Sequence, residues 1–485
     1  MSSPGTGPST VGGHAVVLGA SLAGMFAAGA LARHVERVTV VERDELPAGP
    51  RWRRGLPQAY HAHNLMTAGH DAMERLFPGI RQELLDAGMV SVAMPEDMLL
   101  LTAGGWMPRF PTDLAMLTGS RPVIDWVVRR RLEADPRVTV RQRSQVIGVV
   151  PARGGNAVTG VLLRDRDPAT GTYGAPYELA ADLVVDATGR TSQAPRWLAD
   201  LGCGTPPETV VDAQTAYSTC VFEPPAGHSA DWTCILLQYS PELPRQGILN
   251  PIENGRWMVS LAALGGKVPP TDLDGFLDFA RSLRSPVLYE VLRDATPVTP
   301  IHRSGRTENR WVHYERLRRW PDRFVVLGDA AGAFNPSYGQ GMSVAASSAL
   351  ALDELLADRR SLDGVADRMR RAVAKRIGLA WAIAATADLK YPWATGRRDL
   401  RSRVALPYLY RVIAACPTSE AASRALLDIN QLVATPGAVF RPGVVAAVLR
   451  PRRGPLPTRP PERTVPAPLP APRPSGADAG AALVD

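Results

Sequence analysis

Two distant stretches of the chain share one pattern: a short unbroken apolar run, a glycine-bearing turn, then a small-residue segment with helical spacing. The first run is residues 14–18, followed by a turn at Gly19 and a helical segment over 22–34. A second apolar run at 38–42 completes a β-α-β unit. The order returns far downstream, where the run 323–327 leads into a helix over 341–359. Between these stretches the spacing changes. Residues 91–117 are short apolar runs broken by turns, 146–163 and 177–186 alternate, and 209–264 is strand-rich with a hairpin turn at Glu253–Gly255. Helical spacing covers 64–77, 78–87, 121–133, 276–294 and most of 362–448, and 138–140 returns as a strand.

This order predicts an α/β fold: a Rossmann-like nucleotide-binding domain, an interleaved antiparallel-sheet substrate domain and a C-terminal helical region. The nucleotide-binding domain is expected in three segments, 14–90, 121–204 and 306–360, and the substrate domain in two, 91–120 and 205–305. The helical region is expected over 361–448. A polar Gly/Ser/Pro leader at 1–13 and a Pro/Arg-rich tail at 449–485 are expected to be disordered.

Composition adds bounds. The 485 residues, 45% of them hydrophobic, suffice for a large core. The net charge of +8 is carried by arginine, since the lysines are Lys267, Lys375 and Lys390 alone. The arginines are scattered and no nucleic-acid motif accompanies them. Cys203, Cys220, Cys234 and Cys416 form no CxxC, so they are expected as buried thiols in a reducing cytoplasm. There is no unbroken run of 18 apolar residues, and no spanning helix is expected.

The turns carry the candidate chemistry. GASLAG at 19–24 departs from GxGxxG, with Ser21 where the middle glycine belongs. Its context compensates: it follows an apolar strand, opens a helix, and precedes Glu42 at the end of the next strand. Gly19 permits the turn, Gly24 permits close helix–strand packing, and Leu22 and Ala23 offer helix-start N–H groups to a pyrophosphate. Glu42 is placed to accept from ribose hydroxyls, and Arg43 adjoins it. In the second stretch, FVVLGDAAGAFNPSYGQGMS, Asp329 ends a buried strand and needs a partner such as a ribityl hydroxyl. Pro336, Gly339 and Gly341 allow the chain to lie flat against a planar ring, with Met342 in the helix that follows. An ADP site and a ribityl-and-ring site on one domain point to FAD.

Other constellations carry less. His61 and His63 have no carboxylate or cysteine at ligand spacing, so no metal is assigned. No nucleophile elbow or HExxH helix occurs. Trp106, Trp232, Trp257, Phe222, Tyr217 and Tyr239 suit either a cavity lining or plain core.

Over 15–355 the chain resembles the FAD-dependent monooxygenases of the para-hydroxybenzoate hydroxylase fold, and most of all the actinobacterial flavin epoxidases of polyether biosynthesis. The resemblance is carried by AVVLGASLAG, RRGLPQAYHAH at 53–63, GWMPRFP at 105–111, SRPVIDW at 120–126, DLVVDATGR at 182–190 and LGDAAGAFNPSYGQGMS. It implies that Arg53, Gln58 and Arg121 contact the cofactor, with Gly189 beside them. DATGRTS at 186–192 departs from the DG motif that serves pyridine nucleotide in the family. NAD(P)H is therefore the ultimate donor, acting directly or through a separate flavin reductase.

The resemblance further implies O2 as co-substrate and a flavin 4a-hydroperoxide as the oxygen donor. The expected substrate is an apolar alkene, free or carrier-bound, of polyketide or terpenoid type, in antibiotic biosynthesis. Three readings stay open beside epoxidation: aromatic hydroxylation on the same fold, flavin-dependent alkene reduction, and a non-enzymatic flavin-binding protein. Halogenation lacks its WxWxIP segment.

Overall fold

The computed structural model describes residues 12–53, 55–305, 307–397, 400–450 and 457–463, with side chains of 400–405 left aside. The expected leader falls outside these residues except at Gly12 and Gly13, and the expected tail does so except at 449–450 and 457–463.

The unbroken apolar runs form a five-stranded parallel sheet in the order Phe324–Val326, Leu183–Asp186, His14–Leu18, Arg37–Val41, Val138–Arg141. His14–Leu18 is central and buried throughout, which is why it lacks polar alternation. Helix Leu22–Ala32 lies between its strands and helix Gly341–Ala357, so it too is apolar on nearly every side. Gly29 lets Phe77 approach it: a Cβ there would meet the Phe77 ring at 2.2 Å.

The short apolar runs of 91–117 and the strand-rich 209–264 supply most of an eight-stranded sheet, whose strands come from 98–106, 216–263 and 296–304, while the alternating runs at 144–165 and 177–180 form a separate three-stranded sheet. The eight-stranded sheet is antiparallel except where Cys234–Leu237 pairs in parallel with Met98–Thr102. One face packs on helices Leu273–Arg281 and Val287–Leu292 through Trp106, Phe222, Trp257 and Phe276. The expected single helix over 276–294 is thus two, divided near Pro286. The hairpin turn is present at Glu253–Gly255, with Asn254 left-handed at φ 62°. Residues 64–65, expected as helix, instead extend in strand His63–Leu65 against Ala115–Gly119, and the helix begins at Thr67.

The C-terminal region is helical at Val365–Asp388, Leu400–Ala415, Glu420–Asn430 and Pro442–Leu449. An irregular stretch after Asp388 crosses back to the body, where Asp212 and Thr395 exchange backbone hydrogen bonds. Arg463, within the expected tail, is held by Glu96 at 3.0 Å and Asp97 at 3.2 Å, just before the Met98–Thr102 strand of the eight-stranded sheet. All four cysteines are buried and free. Among the described residues no helix is long and apolar enough to cross a membrane.

Candidate cofactor site

The register of the parallel sheet gathers the candidate residues. Leu18 sits opposite both Val41 and Asp186, and Asp186 opposite Val326. The chain therefore leaves the sheet at Gly19, Glu42, Ala187 and Leu327 along one carboxyl edge, where open parallel sheets bind ligands. Gly19 takes φ +96°, and a Cβ on it would lie 2.9 Å from the Ala187 carbonyl. A Cβ on Gly24 would lie 1.8 Å from the Gly19 carbonyl oxygen, a clash no rearrangement of side chains relieves. Both glycines hold the start of helix Leu22–Ala32 tight against the strand end. The first N–H groups of that helix, at Leu22 and Ala23, have no intrahelical acceptor and carry the positive end of its dipole.

Ser21 flanks this helix start and does not cap it. Its hydroxyl instead accepts a 2.8 Å hydrogen bond from Nη2 of Arg121. Arg121 is buried at the start of helix Arg121–Glu133 and also donates from Nε to Asp125 at 2.6 Å. Sequence reading named both residues separately, and the fold joins them.

Glu42 is buried at the end of its strand. One carboxylate oxygen accepts the Ala20 N–H at 2.9 Å, and the other accepts the Asp44 N–H at 3.0 Å. Arg53 approaches to 3.2 Å and donates from Nη2 to the Ala20 carbonyl, while its buried Nη1 makes no well-formed hydrogen bond. Arg53 also lines a small open cleft with Ala20, Trp52, Pro122, Trp126 and Arg129. Arg43 and Gln58 lie apart: both are exposed, and Arg43 comes only within 3.9 Å of Asp44.

In the second segment, Gly328 at φ +65° turns the chain over Ala23, whose Cβ would be 2.6 Å from an added Cβ. Asp329 follows in the turn Gly328–Ala330. Burial pushes its carboxyl above the ordinary range, while the charges of Arg190 and Arg121 pull it down. No hydrogen bond joins its carboxylate to another described residue in this arrangement. Pro336 opens the turn Pro336–Tyr338, Gly339 closes it at φ +66° against Met66, and Gly341 begins the helix with room 3.9 Å from Asp329 Oδ1. Met342 is partly buried against the main core. Gly189, at φ +79°, has nothing within 4 Å of an added Cβ.

DATGRTS closes on itself. Asp186 accepts from the Thr188 N–H and hydroxyl at 2.9 and 2.6 Å, and from the Ser192 hydroxyl at 2.5 Å. Arg190 donates to the Phe334 carbonyl at 3.0 Å, tying this turn to the second segment. Burial pushes His61 and His63 down to about 4 and about 3, so both are neutral at pH 7. His61 contacts the Thr219 hydroxyl at 2.8 Å, and Thr219 contacts Ser260 at 2.6 Å, linking the 57–63 loop to the eight-stranded sheet.

The aromatics divide between the two faces of that sheet. Trp106, Trp257 and Phe222 are core on the helix-covered face, with Trp232 packed against them. Tyr217 and Tyr239 pack on the other with Ala262, Leu264 and Tyr391, and the Tyr239 hydroxyl meets Ser337 Oγ at 3.0 Å. Sequence reading did not single out Asn335 or Gln340. Asn335 is 1% exposed and caps its own turn by accepting the Ser337 N–H, and Gln340 is equally buried with Oε1 unpartnered. Their signal was the spacing of the NPxxGQG segment, read only for its proline and glycines.

An acid at a strand end with no hydrogen bond among the described residues, a helix start freed by two obligatory glycines and an arginine-lined cleft fit an anionic dinucleotide with a polyhydroxyl chain. The residues present thus fit FAD.

No family model matches the chain. Protein Rv3254 of Mycobacterium tuberculosis is 33% identical over 389 residues, covering 79% of this chain and 81% of that protein. The flavin-dependent brominase Bmp2 superposes with a TM-score of 0.64 at 14% identity, covering 90% of this chain and 97% of its own. The p-nitrophenol 4-monooxygenase PnpA from Pseudomonas putida superposes at 0.57 and 19% identity, covering 87% and 98%. The chain belongs to the family of Rv3254, and its fold is that of the FAD-dependent monooxygenases.

Proposed function

We propose that this protein binds FAD and inserts one atom of O2 into an alkene of an apolar polyketide or terpenoid intermediate, giving an epoxide. The observation that carries the reading is the Asp329 carboxylate, which has no hydrogen-bond partner among the described residues, on the same sheet edge as the Gly19–Gly24 helix start. Bound FAD would supply the redox chemistry between NAD(P)H, O2 and substrate. One oxygen atom enters the alkene, and the other leaves as water with two electrons and two protons from the donor.

The chain's own residues do the rest. Leu22, Ala23, Arg53 and Arg121 would hold the diphosphate end, Glu42 the ribose and Asp329 the ribityl chain. Pro336, Gly339 and Gly341 would shape the ring side. The apolar face of Tyr217, Tyr239, Ala262 and Leu264 would orient the alkene and exclude water. Epoxidation needs no side-chain nucleophile, in keeping with the absence of a nucleophile elbow from the sequence. The self-bonded Asp186 turn favours reduction by a separate flavin reductase over a nucleotide site at DATGRTS.

The test is product mass spectrometry with reduced FAD, labelled O2 and candidate polyenes, with bromide as a separate arm. A labelled product heavier by one oxygen supports epoxidation. Phenol formation, a saturated alkene without oxygen uptake, or a bromide-dependent product each replaces it with the corresponding chemistry.

A further inference from the structure

Asp388 ends the long helix Val365–Asp388 of the C-terminal region, far in sequence from every cofactor motif. Its side chain is fully buried. Oδ1 accepts the Tyr338 hydroxyl at 2.6 Å, while Oδ2 accepts Nδ2 of Asn309 at 2.6 Å and Nδ2 of Asn335 at 3.2 Å. Three donors thus converge on one carboxylate, and two of them belong to the turn expected to shape the ring side of FAD. The clamp extends further. Asn309 Oδ1 accepts the Asn335 N–H at 2.8 Å, and Asn335 Nδ2 also donates to Thr215 Oγ1 at 2.9 Å. The Tyr239–Ser337 contact holds the same turn from the substrate sheet.

We infer that Asp388 is a positioning residue: it fixes the 335–341 turn for the cofactor, so the C-terminal helical region is part of the reaction site. Burying a carboxylate is costly unless its acceptors are filled. Burial pushes Asp388 above the ordinary range, against the three donors and the charge of Lys390. Removing the carboxylate alone would deprive its three donors of this buried acceptor, so the arrangement depends on this one group. Here the donors come from Asn309, Asn335 and Tyr338, which places strand Asn309–Val312, the cofactor turn and the helix end around one group.

This inference rests on the FAD reading for its purpose but not for its test. Hydrogen–deuterium exchange on the full chain without added cofactor should show the 335–341 amides of Asp388→Ala exchanging about tenfold faster or more. The helices Leu22–Ala32 and Val365–Asp388 should remain as protected as in the parent. Asp388→Asn keeps the shape but turns one acceptor into a donor facing other donors, and covers the case in which Asp388→Ala fails to fold. With FAD added, both variants should bind it about tenfold more weakly and show an altered visible flavin spectrum, and Tyr338→Phe should show a smaller change.

Parent-like exchange at 335–341, or acceleration spread equally over helix Val365–Asp388, overturns the inference and leaves Asp388 as a helix anchor. An unchanged flavin spectrum with unchanged affinity overturns it too. If the parent chain takes up no FAD, the proposed function falls, while the exchange comparison still decides the role of Asp388.

Discussion

Arg121 and Ser21, a hundred positions apart, meet at 2.8 Å where the dinucleotide turn departs from its usual glycine. A glycine at 21 would leave Arg121 without this acceptor beside the helix start. The departure therefore replaces close backbone approach with a seated guanidinium. Arg121→Ala should weaken FAD binding by about 1.5–3 kcal/mol, the range for hydrogen bonds to charged groups. Ser21→Ala should cost less, and the double variant should cost less than the sum of the two. Additive losses in a flavin titration would show that the pair does not act as a unit.

Glu42 shapes its own turn and, in the proposed function, also holds the ribose. Its carboxylate already accepts from Ala20 and Asp44, so it shapes the turn before any ligand arrives. Glu42→Ala should weaken FAD binding by about 1–3 kcal/mol and also lower apo stability, because the buried Ala20 N–H and the partly buried Asp44 N–H lose their acceptor. Thermal melts with and without FAD separate the two effects. An unchanged apo melt would mean that the turn does not depend on Glu42.

The glycines of the site differ in kind. Gly24→Ala places a Cβ 1.8 Å from a backbone oxygen and should cost about 3 kcal/mol or more, in the manner of an overpacked core. Gly189→Ala meets nothing within 4 Å and pays only for its positive φ, about 1–2 kcal/mol. Equal losses in denaturant unfolding would mean that the clash at Gly24 relaxes.

What the sequence showed depended on how local the cause was. The central strands were legible because a strand covered on both faces must be apolar along its whole length, as His14–Leu18 is. Helix Arg121–Glu133 was legible to the residue, with Pro122 in its first turn. Asn64 was misread because its strand pairing partner, Thr118, is distant, and local spacing favoured a helix. Asp388 and Arg463 were invisible for the same reason. Each gains its meaning from partners well separated in the chain, and neither stands in a recognisable motif.

Arg463 gives the Pro-rich stretch an anchor. Its side chain pairs with Glu96 and Asp97, and its N–H donates to Asp231 at 3.2 Å. The pairs are only partly shielded, so Arg463→Ala should cost roughly 1 kcal/mol or less, with the difference shrinking in high salt. Truncation after Leu449 should lower the melting temperature by a similarly small amount. A large, salt-independent drop would mean that the tail buries substantial apolar surface on the body.

Asp329 should trade stability for binding. Its carboxyl is raised above the ordinary range in the folded chain, so the folded state holds its proton to higher pH than the unfolded state does. As pH rises from the ordinary carboxyl range through the raised value, apo stability should therefore fall, and the deficit should persist at neutral pH. Asp329→Asn removes the partly buried charge while keeping the shape. Its apo form should melt higher than the parent at pH 7, and the gap should close as pH falls into the ordinary carboxyl range. The same variant should bind FAD about 1–3 kcal/mol more weakly, since the acceptor for the ribityl chain is impaired. Melting curves across pH, paired with a flavin titration, test both halves. If Asp329→Asn is less stable than the parent at neutral pH, the acid is held by protein contacts and is not reserved for a ligand. If it is more stable and still binds FAD fully, the ribityl assignment fails and the second segment serves another part of the cofactor.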